Sequence, residues 1–221
     1  MLNEIRPFTI LFFIILYLTI FLSLYILQKF IQIHPEYSRK FIHILCGLTC
    51  LTYPILFNSI LSVIIIMGLT IVFFLILRLP YFKQTFNSVF NLRHLSLGEI
   101  YFPISIILLF YLAKDNYLLF AIPILILSLA DAAASIIGVK YHRIQYSFFK
   151  SKKSLEGSVA FLIVSFFCIA VPFFLVNSTF LLIDSLLLAI FLTLLEGACS
   201  KGFDNIFLPL CAYLLLHYFF I

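Results

Sequence analysis

Leu129-Ala-Asp-Ala-Ala-Ala-Ser-Ile-Ile-Gly138 is the stretch whose reading decides this chain. It lies in an apolar run that begins near Tyr117 and holds a carboxylate, Asp131, well inside it. A charge at membrane depth costs about 2.5–3.5 kcal/mol on insertion scales, so Asp131 requires a metal, a cation or a bound ligand. On a helix, Asp131, Ala134, Ser135 and Gly138 share one face at i, i+3, i+4 and i+7. That face is small, so a bulky group can approach the backbone. The chain then leaves the apolar run through Lys140, Arg143, Lys150, Lys152 and Lys153. An acid on a small-residue groove beside a basic loop suits a divalent metal with a polyphosphate. It also suits a helix-packing seam in which a nearby Lys caps the Asp. The stretch alone leaves both readings open.

Composition sets the environment. The 221 residues are 64% hydrophobic and only 10% charged, with mean hydropathy +1.20. A soluble domain of this size needs more polar surface, so the chain reads as an all-α, polytopic transmembrane bundle forming one domain over 1–221. With 28 Phe and no Trp, any interfacial aromatic belt is built from Tyr. The five cysteines, Cys46, Cys50, Cys168, Cys199 and Cys211, have no CxxC spacing and read as reduced packing residues.

Apolar runs place about eight spans near 8–31, 41–57, 60–79, 99–113, 117–138, 155–176, 180–195 and 205–221. The first is too long for a signal-peptide core and is read as a retained span. Of the 14 basic residues, Lys29, Arg39, Lys40, Arg78, Lys83, Arg93, Lys140, Arg143, Lys150, Lys152, Lys153 and Lys201 fall on one side, leaving Arg6 and Lys114 on the other. This asymmetry predicts cytoplasmic basic loops and both termini outside, and it accounts for the net charge of +5 without nucleic acid. Asn177-Ser-Thr179 has the pattern of a glycosylation acceptor on the outer side. Cytosolic basic loops fit a bacterial inner membrane, an endoplasmic reticulum membrane or a plastid envelope; low Gly with high Phe, Ile, Lys and Asn fits a low-GC genome and points to the bacterial one.

The polar clusters sit at the cytoplasmic ends of these runs. Arg39, Lys40 and His43 gather on one side of the second run at i, i+3 and i+4 spacing. Cations near a helix N-terminus have the wrong sign for its dipole and make more sense opposite an anion. Gly98-Glu99 opens the fourth run, with Pro103 a turn later. Ser151-Lys-Lys-Ser-Leu-Glu-Gly157-Ser158 opens the sixth, with Ser154 as its expected N-cap and Glu156 in the first turn. Backbone N–H groups, hydroxyls and two lysines at a helix start make a phosphate cradle; the simpler reading is a capped helix with a topogenic Lys pair. Glu196, Asp204 and Asn205 lie between the last two runs. Asp131, Glu156, Glu196 and Asp204 together offer hard oxygen ligands for Mg²⁺. The chain contains no GxxxxGK[ST], no HExxH and no Ser–His–Asp order.

Arg39-Lys40-x-x-His43-x-x-x-Gly47, Gly98-Glu99, Asp131-Ala-Ala-Ala-Ser135-x-x-Gly138, Lys153-Ser-Leu-Glu-Gly-Ser158 and Glu196-x-x-Ser200-x-Gly202-x-Asp204-Asn205-x-x-x-Pro209 together resemble the CTP-dependent polyprenol kinase family. That family groups phytol kinase, dolichol kinase and the CTP-dependent diacylglycerol kinase. The motif-bearing region runs from about 39 to 209. The pair Asp131 and Lys153-Ser-Leu-Glu-Gly157 also resembles the wider phosphatidate cytidylyltransferase superfamily, whose long C-terminal signature is absent here.

The resemblance implies phosphoryl transfer from CTP to the hydroxyl of a membrane lipid alcohol, releasing CDP. It implies Mg²⁺ held by Asp131, with Glu156 and Asp204. Arg39, Lys40, Ser135, Lys152, Lys153, Ser154, Gly157, Ser158 and Asn205 would bind nucleotide and phosphate. Asp131, His43, Glu196 and Asp204 are the catalytic candidates, and His43, Glu196 and Asp204 are equal candidates for the base. Two other readings remain: a phosphatidate cytidylyltransferase, which would release pyrophosphate, and a transporter or scaffold, in which acids would spread towards the midplane.

Overall fold

The computed structural model describes residues 5–31, 33–82, 86, 97–113, 116–148, 151–177 and 182–219. Lys83, Arg93, Lys114, Lys150 and the Ser178-Thr179 half of the glycosylation pattern lie outside the described residues. Among the described residues the fold is all-α apart from one short hairpin. Its helices are α1 (Pro7–Phe30), α2 (Pro35–Cys50), α3 (Tyr53–Leu56), α4 (Ile60–Leu77), α5 (Gly98–Ala113), α6 (Tyr117–Leu125), α7 (Asp131–Tyr141), α8 (Leu155–Asn177), α9 (Leu182–Ala198) and α10 (Asp204–Phe219). A π-helical turn, Ile126–Ala130, joins α6 to α7 in one rod. Strands β1 (Gln145–Phe148) and β2 (Ser151–Ser154) pair antiparallel between α7 and α8, with Gln145 opposite Ser154 and Tyr146 opposite Lys153.

Among the described residues, four helical segments are long and apolar enough to cross a membrane: Pro7–Phe30, Ile60–Leu77, Tyr117–Tyr141 and Leu155–Val176. The third is the axis of the fold. It is 67% buried, against 28% for the first and 33% for each of the other two. The others turn large apolar side chains outward, as with Phe8, Leu11, Phe12, Ile15, Leu18 and Leu22 on α1. An exposed apolar face this long is consistent with a membrane protein. α2, α8 and α10 pack around the central rod; α4 and α10 pack on α5.

Local chemistry sets the helix ends. The second run becomes helical at Pro35, six residues before the apolar reading places its start. Proline suits the first helical position, and the His34 Nδ1 accepts the Glu36 backbone N–H at 3.3 Å. Arg39 and Lys40 are therefore in the second turn rather than in a preceding loop. Ser154 caps α8 as expected, its Oγ accepting from the Gly157 N–H at 3.1 Å. Asn116 caps α6 by accepting from Leu118 and Leu119. The hairpin was not anticipated. Its four-residue strands are too short to show alternation, and it fills what the sequence reads as a basic loop. All five cysteines are free thiols, four of them buried.

Candidate functional site

Five helix ends and the hairpin converge on one polar cavity of about 610 Å³. That volume is in the range of about 300–1,000 Å³ usual for small-molecule sites. α2 contributes Glu36, Arg39 and Lys40; α7 contributes Asp131, Ala134, Ser135 and Gly138; β2 brings Lys152 and Lys153. Ser154, Gly157 and Ser158 come from the start of α8, Glu196 from the end of α9 and Asp204 from the start of α10. The small-residue face of the central helix is thus one wall of the cavity.

The close approach of α7 and α8 forms the narrow end. A Cβ on Gly157 would stand 2.7 Å from the Ala134 carbonyl oxygen, and one on Gly138 would stand 3.1 Å from Ser154 Oγ. Glycine at 157 lets the start of α8 lie against the Ala134 backbone, and glycine at 138 leaves room for the Ser154 hydroxyl. Gly47 has the same purpose on the other side, since a Cβ there would collide with the Ser128 side chain in the π-helical turn.

Asp131 and Lys40 form an ion pair, and each residue is only 3% exposed. The simpler reading of the opening stretch, an Asp capped by a Lys, therefore describes the arrangement, although both partners line the cavity. A second pair joins Lys153 to Glu196. Burial pushes the Lys153 ammonium towards its neutral form, but Glu196, Asp204 and Asp131 outweigh this and hold it above the usual lysine range. Lys153 therefore sits among three carboxylates. Glu36 receives Arg39 at 2.5 Å and the Ser135 hydroxyl at 2.7 Å. Burial raises its carboxyl, yet Arg39, Lys40 and Ser135 bring it down to about 2.

Three expected residues lie elsewhere. Glu156 is not on the cavity wall; its Oε1 accepts the backbone N–H groups of Arg143 and Ile144, both at 3.2 Å, and so anchors the entry to the hairpin. Its place in the first turn of α8 turns it towards that preceding corner. Asn205 donates through Nδ2 to the Gly98 carbonyl at 2.8 Å and ties α10 to α5. His43 lies behind Asp131, with Nε2 at 3.9 Å from Oδ2 and 3.0 Å from the Leu127 carbonyl oxygen.

His43 and Asn205 line a second space, an apolar slot of about 50 Å³. Its walls are Tyr17 and Phe21 of α1, Met67, Thr70 and Phe74 of α4, and Phe102 of α5. Arg39 lines both spaces. The Arg39, His43 and Asp131 side chains thus form the partition between them.

Glu36, His34, His142 and Gln145 line the cavity without having been singled out from sequence. A signal for Glu36 existed: it stands i−3 from Arg39 and i−4 from Lys40, a spacing that becomes visible once the helix starts at Pro35.

Among the described residues, no three His, Cys, Asp or Glu side chains gather closely enough to hold a metal ion. The donors do not fit a cage made of protein ligands alone. Mg²⁺, however, usually keeps several waters and takes one or two carboxylates with substrate phosphates. Asp131 and Asp204 on the cavity wall fit that smaller requirement. Comparison with protein-family models, with curated proteins and with solved structures finds no match to this chain.

Proposed function

We propose that the chain is a membrane-embedded, CTP-dependent kinase that phosphorylates the hydroxyl of a lipid alcohol. The observation that carries this is the cavity itself, about 610 Å³, lined together by Arg39, Lys40, Lys152 and Lys153 and by Glu36, Asp131, Glu196 and Asp204, beside an apolar slot. The choice of CTP rests on the ordered motif resemblance between 39 and 209. In this reading all eight apolar runs cross the bilayer, the cavity faces the cytoplasm and both termini lie outside. The membrane is a bacterial inner membrane.

Phosphoryl transfer needs positioning and neutralised oxyanion charge more than covalent chemistry by the protein. The lysines and Arg39 supply both. When bound with the nucleotide, Mg²⁺ would neutralise phosphate charge, with Asp131 and Asp204 as its protein ligands. Lys40 and Lys153, each resting on a carboxylate, turn to phosphate oxygens when the nucleotide enters.

A carbonyl oxygen only accepts, so His43 carries its proton on Nε2 towards Leu127, and Nδ1 is the ring's acceptor. Nδ1 takes the alcohol proton as the alcohol oxygen bonds to the γ-phosphorus. The bond from that phosphorus to the bridging oxygen breaks, and CDP leaves.

Purified protein with labelled CTP and Mg²⁺ should phosphorylate a prenol and release CDP, and Asp131→Ala should abolish turnover. Release of pyrophosphate would transfer the chain to the cytidylyltransferases. Failure to bind CTP under any condition would leave a transporter or scaffold.

A further inference from the structure

Resting on the reading that the cavity takes a polyphosphate, we infer that Glu36 is an internal competitor for it. Arg39 and Ser135 form an oxyanion subsite, Glu36 fills that subsite with its own carboxylate, and a phosphate group of the nucleotide takes its place.

The donors are of the kind that recognises phosphate. Arg39 holds both carboxylate oxygens, with Nη2 donating to Oε1 at 2.5 Å and Nε donating to Oε2 at 3.0 Å. Ser135 of α7, 99 residues further along the chain, donates its hydroxyl to the same Oε1 at 2.7 Å. A guanidinium fork serves a carboxylate or a phosphate, because each presents two oxygens at a spacing that matches its N–H groups. An Arg–Glu pair three residues apart on one helix is ordinary by itself. The hydroxyl arriving from a second helix turns that pair into a three-donor pocket, and all three residues line the large cavity.

Exposure decides which acid yields. The Asp131 and Glu196 side chains are each 4% exposed, whereas Glu36 is 16% and its partner Arg39 22% exposed. A buried carboxylate parted from its cation is left stranded. Glu36 instead has water to turn to. It also stays in the first turn of α2, where the helix dipole favours a negative charge. Of the three paired carboxylates on the cavity wall, Glu36 is therefore the one that a phosphate displaces most readily.

Two consequences follow for the reaction. A competitor built into the chain weakens the apparent affinity of any anion that must displace it. The same carboxylate returns to Arg39 as CDP departs, so the guanidinium is not left without a partner.

The test uses the whole chain in detergent and titrates pyrophosphate in the presence of Mg²⁺ by calorimetry. Glu36→Gln should tighten pyrophosphate about fivefold, the scale of one part-exposed Arg–carboxylate pair, even though the variant loses thermal stability. Glu36→Asp keeps the charge but draws the carboxylate back from Ser135. It should tighten binding in the same direction, which a change in net charge cannot produce, and it serves alone if Glu36→Gln does not fold. Adding Ser135→Ala to either variant should weaken pyrophosphate about tenfold, the scale of a hydrogen bond to a charged group. Binding that is unchanged or weaker in the Glu36 variants would make Glu36 a plain tie between α2 and α7 and overturn the inference. A gain in Glu36→Gln with none in Glu36→Asp would reduce it to an effect of net charge and overturn it equally, as would a Ser135→Ala addition without effect. Phosphoryl transfer from CTP is followed in parallel. Tightened pyrophosphate without transfer retains the subsite and removes the kinase reading. Transfer with an unaltered KM for CTP in the folded Glu36 variants removes the competitor and retains the kinase.

Discussion

Lys40 of α2 and Asp131 of α7, 91 residues apart in the chain, form a buried ion pair at the wall of the polar cavity. The pair joins two elements that the sequence presents as separate motifs. It also explains how an acid is tolerated on the most buried helix of the bundle. In the proposed kinase, Lys40 is the partner of Asp131 that a bound polyphosphate would draw away.

Removing one member of a buried pair strands the other charge, at a typical cost of about 3–5 kcal/mol. Asp131→Leu should therefore lower unfolding stability by a large part of that amount. Asp131→Leu with Lys40→Met should recover most of it, because no uncompensated charge remains. Neither variant should turn over CTP. Thermal unfolding in detergent and an activity assay separate the structural role from the chemical one. An active double variant would remove both residues from the mechanism.

Gly157→Ala forces a Cβ to within 2.7 Å of the Ala134 carbonyl, a backbone atom that cannot rotate away. Overpacking of this kind costs about 1–3 kcal/mol, and here it should also separate α8 from α7. Gly68→Ala meets nothing within 4 Å and should be neutral or stabilising by up to about 1 kcal/mol, the helix-propensity difference. Melting curves of the two variants, compared under identical detergent, test the helix crossing directly.

The Glu36 carboxyl is lowered from its usual 4.5 to about 2 in the folded chain. A depressed folded value means the ionised form stabilises the fold. That contribution is complete above about 4.5 and fades as pH falls towards about 2. Stability measured against pH should therefore decline across this window, and Glu36→Gln should flatten the decline. The variant should also be less stable near pH 7, where Arg39 and the Ser135 hydroxyl lose a charged partner. Equal slopes in the two proteins would contradict the assignment.

Lys153 belongs to the cavity and Lys201 does not. Lys153→Met should weaken CTP·Mg²⁺ binding by about tenfold or more, the scale of one charge-assisted contact. Lys201→Met should leave it unchanged. Bound nucleotide raises the melting temperature by mass action, so a thermal shift reads both variants. Chelating Mg²⁺ should abolish the shift, since Asp131 and Asp204 would then repel the phosphates.

Much of the architecture was readable along the chain because apolar runs in lipid must satisfy their own backbone hydrogen bonds as helices. The run from 117 to 138 is the central rod, and those near 60–79, 99–113 and 155–176 match α4, α5 and α8 within a few residues. The start of α2 was missed because Pro35-Glu36-Tyr37-Ser38 is polar, and a hydropathy reading sees only the apolar part of a helix. The hairpin was missed because Gln145–Phe148 and Ser151–Ser154 become strands by pairing with each other, with Tyr146 set on Ser158 at 2.6 Å.

By itself the sequence determined a bundle of long apolar helices, an acid inside its most apolar surroundings, and polar motifs kept to the ends of the runs. Those follow from local composition, which needs no knowledge of neighbours. Only the tertiary structure decided that Lys40 neutralises Asp131, that Lys153 rests on Glu196, that Glu156 serves the hairpin and that Glu36 joins the cavity. Each of these depends on which helix ends meet. That was set by close glycine crossings at Gly47, Gly138 and Gly157, whose partners lie on other elements of the fold.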